Sequence, residues 1–139
     1  MTIELLHQKI ESLRNCIQRI DSKKPFTVED LKVNFDLQDI ISINLERAVQ
    51  VCVDIASHIL SEKNGPTPNT LAESFILLAQ YKIISEITAQ SLVKSVGLRN
   101  LLVHEYSKID WNIVAVVANN HLDTFREFAK EVLEKNELI

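Results

Sequence analysis

Helix-breaking residues are so rare in this chain that they nearly dictate its class: 139 residues contain two glycines and three prolines. Turns and strand-rich folds consume both residue types. A chain this poor in them is expected to consist of long helices with few connections. The apolar residues agree. Ile3, Leu6, Ile10, Leu13, Ile17 and Ile20 recur in alternating steps of three and four, which predicts a helix from about Thr2 to Asp21. Lys23-Lys24-Pro25 stops it, because proline has no amide to donate and crowds the preceding turn. A second helix is expected over Asp36 to Lys63, with a start as early as Thr27 also open. Its line of Leu37, Ile41, Leu45, Ala48, Cys52, Ala56 and Ile59 is widened by Ile40, Ile43 and Val51, as suits a central helix.

Asn64-Gly65-Pro66-Thr67-Pro68 is the clearest loop, with Gly65 as the expected helix terminator. Thr70-Leu71-Ala72-Glu73 predicts a capping box, in which Thr70 and Glu73 satisfy each other's free backbone amides. It opens a third helix that ends near Tyr81. Ser85 caps a fourth, which runs through Ala89, Val93 and Val96 into a polar cluster. Asp110 caps a fifth, striped by Trp111, Val114, Ala118, Leu122, Phe125, Ala129 and Val132. Short connections favour antiparallel neighbours. The expected fold is all-α, a single up-and-down bundle of about five helices spanning residues 1–139.

Charge and composition narrow the function classes. A net charge of −4 argues against a protein that coats nucleic acid by bulk electrostatics, yet permits a local cationic cleft. Cys16 and Cys52 lie among aliphatic residues at helical spacing, which predicts two buried, reduced thiols rather than a disulfide. No segment approaches the roughly 18 uninterrupted apolar residues of a membrane span. The N-terminal residues are too acidic and polar for a signal peptide. The expected location is the cytoplasm, with no membrane partner.

One segment carries chemistry: Gly97-Leu98-Arg99-Asn100-Leu101-Leu102-Val103-His104-Glu105-Tyr106. Arg99 is permanently cationic, and its planar fork fits a phosphate. The imidazole of His104 has an ordinary pKa of roughly 6.5, suited to proton transfer near neutral pH. Tyr106 adds a hydroxyl. These are the parts needed to cleave a phosphodiester without a metal. Asn100 and His104 are four apart and share a face. Arg99 and Tyr106, seven apart, also align if the helix continues past His104. Arg99 and His104 are five apart and leave on different flanks, so Arg99 must curl round or a second subunit must complete the site. Gly97 lets another backbone approach, at about 1 kcal/mol of helix propensity. Spacing alone equally allows a surface ion pair for Arg99, a polar interhelical pair for Asn100 and His104, and a rim aromatic for Tyr106.

These ten residues resemble the signature of the HEPN superfamily: Arg99, polar Asn100, three further positions, then His104. The Tyr106 two places later resembles the HepT branch, small toxins encoded beside a minimal nucleotidyltransferase (MNT) antitoxin. The resemblance covers essentially the whole chain. It implies a metal-independent, cofactor-free endoribonuclease acting as a homodimer, with two motifs facing across a cleft. It further implies His104 as general base on the ribose 2′-hydroxyl or acid at the leaving oxygen, Arg99 on the scissile phosphate, and Asn100 orienting His104 or donating to the phosphate. By the same resemblance, Tyr106 is where the antitoxin attaches adenylate, silencing the toxin.

Weaker candidates remain. Asp39, Glu46, Arg47, Gln50 and Asp54 form a polar stripe on the second helix, either a solvated face or a surface lining the cleft or contacting the antitoxin. Arg47, Asp54 and Lys94 are the candidates for lining the cleft. Asp54 and His58 form an i, i+4 pair that is compatible with a plain surface contact. His7 and His121 lack partners at metal-ligand spacing, so no metal site is expected. Two other classes stay open: a non-catalytic HEPN partner that binds nucleotide or substrate for a nucleotidyltransferase, and a helical interaction module with the cluster buried as a polar network.

Overall fold

The computed structural model describes residues 1–137. Among these the chain is all-α, with no strand. Its elements are α1 (Ile3–Asp21), α2 (Val28–Val33), α3 (Phe35–Ser61), α4 (Leu71–Gln80), α5 (Glu86–His104), a 3-10 turn (Tyr106–Lys108), α6 (Trp111–Asn120) and α7 (Asp123–Glu137). The class is as expected; the count is seven α-helices among the described residues rather than five. One extra helix, α2, occupies the connection before the expected start at Asp36, and the long helix begins at Phe35, one residue earlier. The other arises where a continuous apolar pattern conceals a break.

The first break is at Asn34. Its backbone is extended, and its side chain accepts from the Leu37 amide at 3.0 Å, so it caps α3. α2 has a start of its own. Thr27 Oγ1 accepts from the Asp30 amide at 3.1 Å, and Asp30 Oδ2 accepts from the Thr27 amide at 2.8 Å. Thr27 therefore opens a separate short helix, and the long one begins at Phe35. Buried Gln38 ties the joint together by donating to the Leu31 carbonyl at 2.7 Å.

The second break divides the expected fifth helix at His121 and Leu122. The stripe from Val114 through Leu122 to Val132 is buried as its periodicity requires, but two helices share it. The Asn119 carbonyl is engaged by Lys24 Nζ at 3.5 Å, and the Asn119 side chain donates to the Phe26 carbonyl at 3.4 Å. The chain bends where these bonds hold it to the connection after α1.

Two local expectations are corrected. Thr70 Oγ1 accepts from the Glu73 amide at 3.1 Å, but Glu73 Oε2 accepts from Asn69 rather than Thr70. At the end of α3 it is Asn64 that takes the left-handed conformation, with φ of 54°. Gly65 serves a different need: a Cβ there would overlap the Tyr81 hydroxyl.

α1 packs along α3 and α4 along α5, with α7 closing over α1 and α5. Ile10, Leu13, Ile41, Ile55 and Leu78 are fully enclosed, and the Phe75 and Phe128 rings meet edge to face at 5.9 Å. Each such side chain contributes about 1.5–3 kcal/mol on burial. Cys16 and Cys52 are unpaired and buried within this core. No described helix is long and apolar enough to cross a membrane.

Candidate active site at the end of α5

α5 begins as an ordinary packed helix. Ser85 Oγ accepts from the Thr88 amide at 3.2 Å, and Thr88, Ala89, Leu92 and Val96 are buried. From Gly97 onward only Leu102 is buried. The glycine itself is exposed, with nothing within 4 Å of where a Cβ would stand.

Arg99 leaves this segment toward α3 and is only partly exposed. Its Nη2 donates to Gln50 Oε1 at 3.3 Å, and its Nη1 donates to Asn100 Oδ1 at 3.2 Å. Nε is enclosed with no acceptor. Gln50 Nε2 in turn donates to Asp54 Oδ1 at 3.0 Å. Two members of the polar stripe on α3 are thereby joined to the motif on α5.

His104 is the last residue of α5 and is exposed. Five helical positions separate it from Arg99, about 140° of rotation, and the two side chains do not meet within this chain's described contacts. Asn100 bonds Arg99, not His104. The helix does not continue to Tyr106: Glu105 leaves helical geometry at φ −137° and ψ 48°, and Tyr106 opens the 3-10 turn. Tyr106 is 44% exposed, and its ring stands edge to face against Trp111, with centroids 5.8 Å apart.

The other candidates fall elsewhere. Arg47 is exposed on the α1 side of α3. Burial pushes the Cys16 thiol up, and the Arg47 charge partly opposes that push. Lys94 lies on the outward flank of α5 that also carries Gly97 and His104, and lines a groove of about 480 Å³ with Leu98, Asn112, Val116 and His121. Asp54 binds Gln50 rather than forming a pair with His58. Among the described residues no three His, Cys, Asp or Glu side chains group as a metal site. Sequence reasoning places Gln50 only in a polar stripe; its i, i+4 spacing to Asp54 is the signal that marks it.

Residues 10–132 match the protein family described as ribonuclease HepT-like. The chain belongs to the HepT-like ribonuclease family. Among its relatives, the mRNA nuclease HepT of Shewanella oneidensis is 36% identical over 125 residues, covering 90% of this chain and 93% of that protein. A tRNA nuclease HepT of Aphanizomenon flos-aquae is 28% identical over 128 residues, 92% of this chain and 87% of the relative. The solved structure of a tri-AMPylated HEPN toxin from Shewanella oneidensis, in complex with an MNT antitoxin, superposes with a TM-score of 0.88 at 34% identity, covering 96% of this chain and 99% of that one. HepT-like membership accounts for the all-α architecture and places the chain among ribonucleases.

Proposed function

We propose that this chain is a single-domain, metal-independent endoribonuclease toxin of a HepT/MNT pair, acting in the cytoplasm as a homodimer. What carries the reading is the treatment of Arg99. Its guanidinium is held on two sides by neutral amide oxygens, so its charge is directed without being cancelled. A cation held in that way is suited to a phosphate, where it stabilises the charge that develops on the oxygens in the transition state.

The chemistry is an internal displacement. His104, exposed at the end of α5, removes the proton from the ribose 2′-hydroxyl, or donates one to the leaving 5′-oxygen. The 2′-oxygen attacks the adjacent phosphorus as the P–O5′ bond breaks, giving a 2′,3′-cyclic phosphate and a free 5′-hydroxyl. RNA is cleaved and DNA is not, because only RNA carries the nucleophile. Arg99 and His104 leave α5 about 140° apart. A second copy facing the same surface brings the His104 of one subunit beside the Arg99 of the other, and exposed Gly97 permits the close approach. Asn100, whose oxygen is occupied by Arg99, has its amide nitrogen free to donate to the phosphate.

Silencing follows from Tyr106. Adenylate joined to its partly exposed side chain by a nucleotidyltransferase antitoxin would add negative charge at the mouth of the cleft that RNA must enter and compete with substrate phosphate. The AMPylated state of the Shewanella relative and its MNT complex support this assignment.

The test is RNA cleavage by the purified, unmodified chain in EDTA, against His104→Ala, with the product ends identified. The expected result is cyclic-phosphate ends, reduced about 10²- to 10⁴-fold in the variant. Equal cleavage by both proteins removes His104 from the mechanism. No cleavage by a dimeric, mass-verified protein favours the non-catalytic phosphate-binding partner.

A further inference from the structure

Arg99 meets α3 through a neutral acceptor, although a carboxylate stands one turn further along the same helix. Asp54 takes no direct bond from the guanidinium; its Oδ1 accepts from Gln50 Nε2 at 3.0 Å, while Gln50 Oε1 accepts from Arg99 Nη2 at 3.3 Å. A carboxylate accepts and does not donate, so Asp54 can bond only the nitrogen end of the Gln50 amide. That choice fixes the other end. The amide oxygen must face Arg99, whereas an unconstrained amide could turn over and set its NH₂ against the guanidinium, donor against donor. Asn100 Oδ1 supplies a second neutral acceptor at 3.2 Å. Among the described residues Arg99 enters no ion pair.

We propose that Gln50 is a positioning residue for Arg99, oriented by Asp54, which presents the guanidinium to an RNA phosphate with its charge uncompensated. The proposal rests on the ribonuclease reading and adds a requirement to it: the residue at position 50 must accept a hydrogen bond and must not be charged. A glutamate there would hold Arg99 equally well and would compete with the phosphate for it. Asp54 sets the direction of the amide from one position further out and acts only through it.

Four variants test this: Gln50→Glu, Gln50→Ala, Asp54→Asn and the double Gln50→Ala/Asp54→Asn. Each is measured for kcat and KM on RNA, for melting temperature, and for affinity to a short 2′-O-methyl oligoribonucleotide, whose blocked nucleophile permits binding without cleavage. Gln50→Glu should raise both KM and the oligonucleotide Kd by about tenfold or more and lower kcat as well, with the melting temperature maintained. A merely structural role would instead lower the melting temperature and scale activity with the folded fraction. Asp54→Asn should cost a few-fold alone and nothing further in the Gln50→Ala background. If glutamate beside Asp54 impairs folding, Gln50→Ala must still weaken oligonucleotide binding.

Wild-type affinity in Gln50→Glu overturns the proposal, as does an Asp54→Asn effect of equal size in both backgrounds, which would mean that Asp54 acts on Arg99 directly. Should the wild type bind the oligonucleotide but not cleave RNA, the ribonuclease reading falls and the binding series still decides the role of Gln50. Failure of the wild type to bind at all removes both.

Discussion

α1 and α5 are each 19 residues long and each opens on a hydroxyl cap, Thr2 in one and Ser85 in the other. In α1 the apolar side chains form one stripe, and Leu6, Ile10, Leu13, Cys16, Ile17 and Ile20 are all buried against the rest of the chain. α5 has no such stripe. It packs as far as Val96, buries only Leu102 from Gly97 onward, and leaves Ile87 and Val103 exposed. Burial of a continuous apolar face is what holds a helix in place, so α1 is accounted for by its own chain. α5 is anchored by its first half and presents its second half outward. Where a helix departs from the amphipathic rule, its sequence is answering to something other than the core.

Substitutions should separate the two helices cleanly. The largest effect belongs to Leu13→Ala in α1, a fully enclosed position. It should destabilise by about 2–5 kcal/mol in a denaturant melt while leaving cleavage per folded molecule unchanged. A loss of cleavage beyond the folded fraction would break the division. Arg99→Lys should do the reverse. Replacing the two-pronged guanidinium by a point charge forfeits one of its two anchored bonds. Cleavage should fall by about 10²-fold, with the melting temperature unmoved.

Gly97→Ala sharpens the comparison further. Alanine meets nothing within 4 Å in the single chain, so it should stabilise the monomer by about 1 kcal/mol. Sedimentation should show weaker self-association if a second backbone lies against that point. Stabilisation with unaltered association would place the subunit contact elsewhere.

The smallest effect near neutral pH concerns the core thiols. Burial pushes both Cys52 and Cys16 upward from the ordinary 9.0, with the neighbouring Cys16 adding to the shift of Cys52. The folded state then keeps its protons where the unfolded state loses them. Stability is full below pH 9 and is lost as the pH rises above that value toward the raised folded ones. Cys52→Ala should flatten the alkaline limb of a pH–stability curve and leave the neutral plateau lower but level.

How much of this was legible in the sequence depended on whether one element or two carried the information. α1 could be read outright, because a single apolar stripe buried along its whole length is a one-dimensional pattern. The start of α3 was read to within one residue, at Asp36 against Phe35, but the short α2 before it was not. The break at His121 could not be read: the apolar phase runs on undisturbed there, and the chain bends where Asn119 is bonded to a distant residue, Lys24. The motif from Arg99 to Tyr106 was visible as residue types in order. Its geometry was not: the helix stops at His104, and Arg99 turns to a glutamine 49 residues earlier in the chain. Only the fold brings those two together; the polar stripe on α3 contained Gln50 and Asp54 without pairing them.

Tyr106 stands two residues past the end of the helix that carries the candidate site, on a three-residue turn of its own, with its ring leaning on Trp111 and its surface partly open to water. A bulky group joined to that hydroxyl displaces no buried atom and strains no helical bond. Inactivation at this point would therefore be independent of folding: the blocked molecule would keep its full core and be no easier for a protease to unravel. Removing the group would restore activity at once, with no refolding between the two conditions.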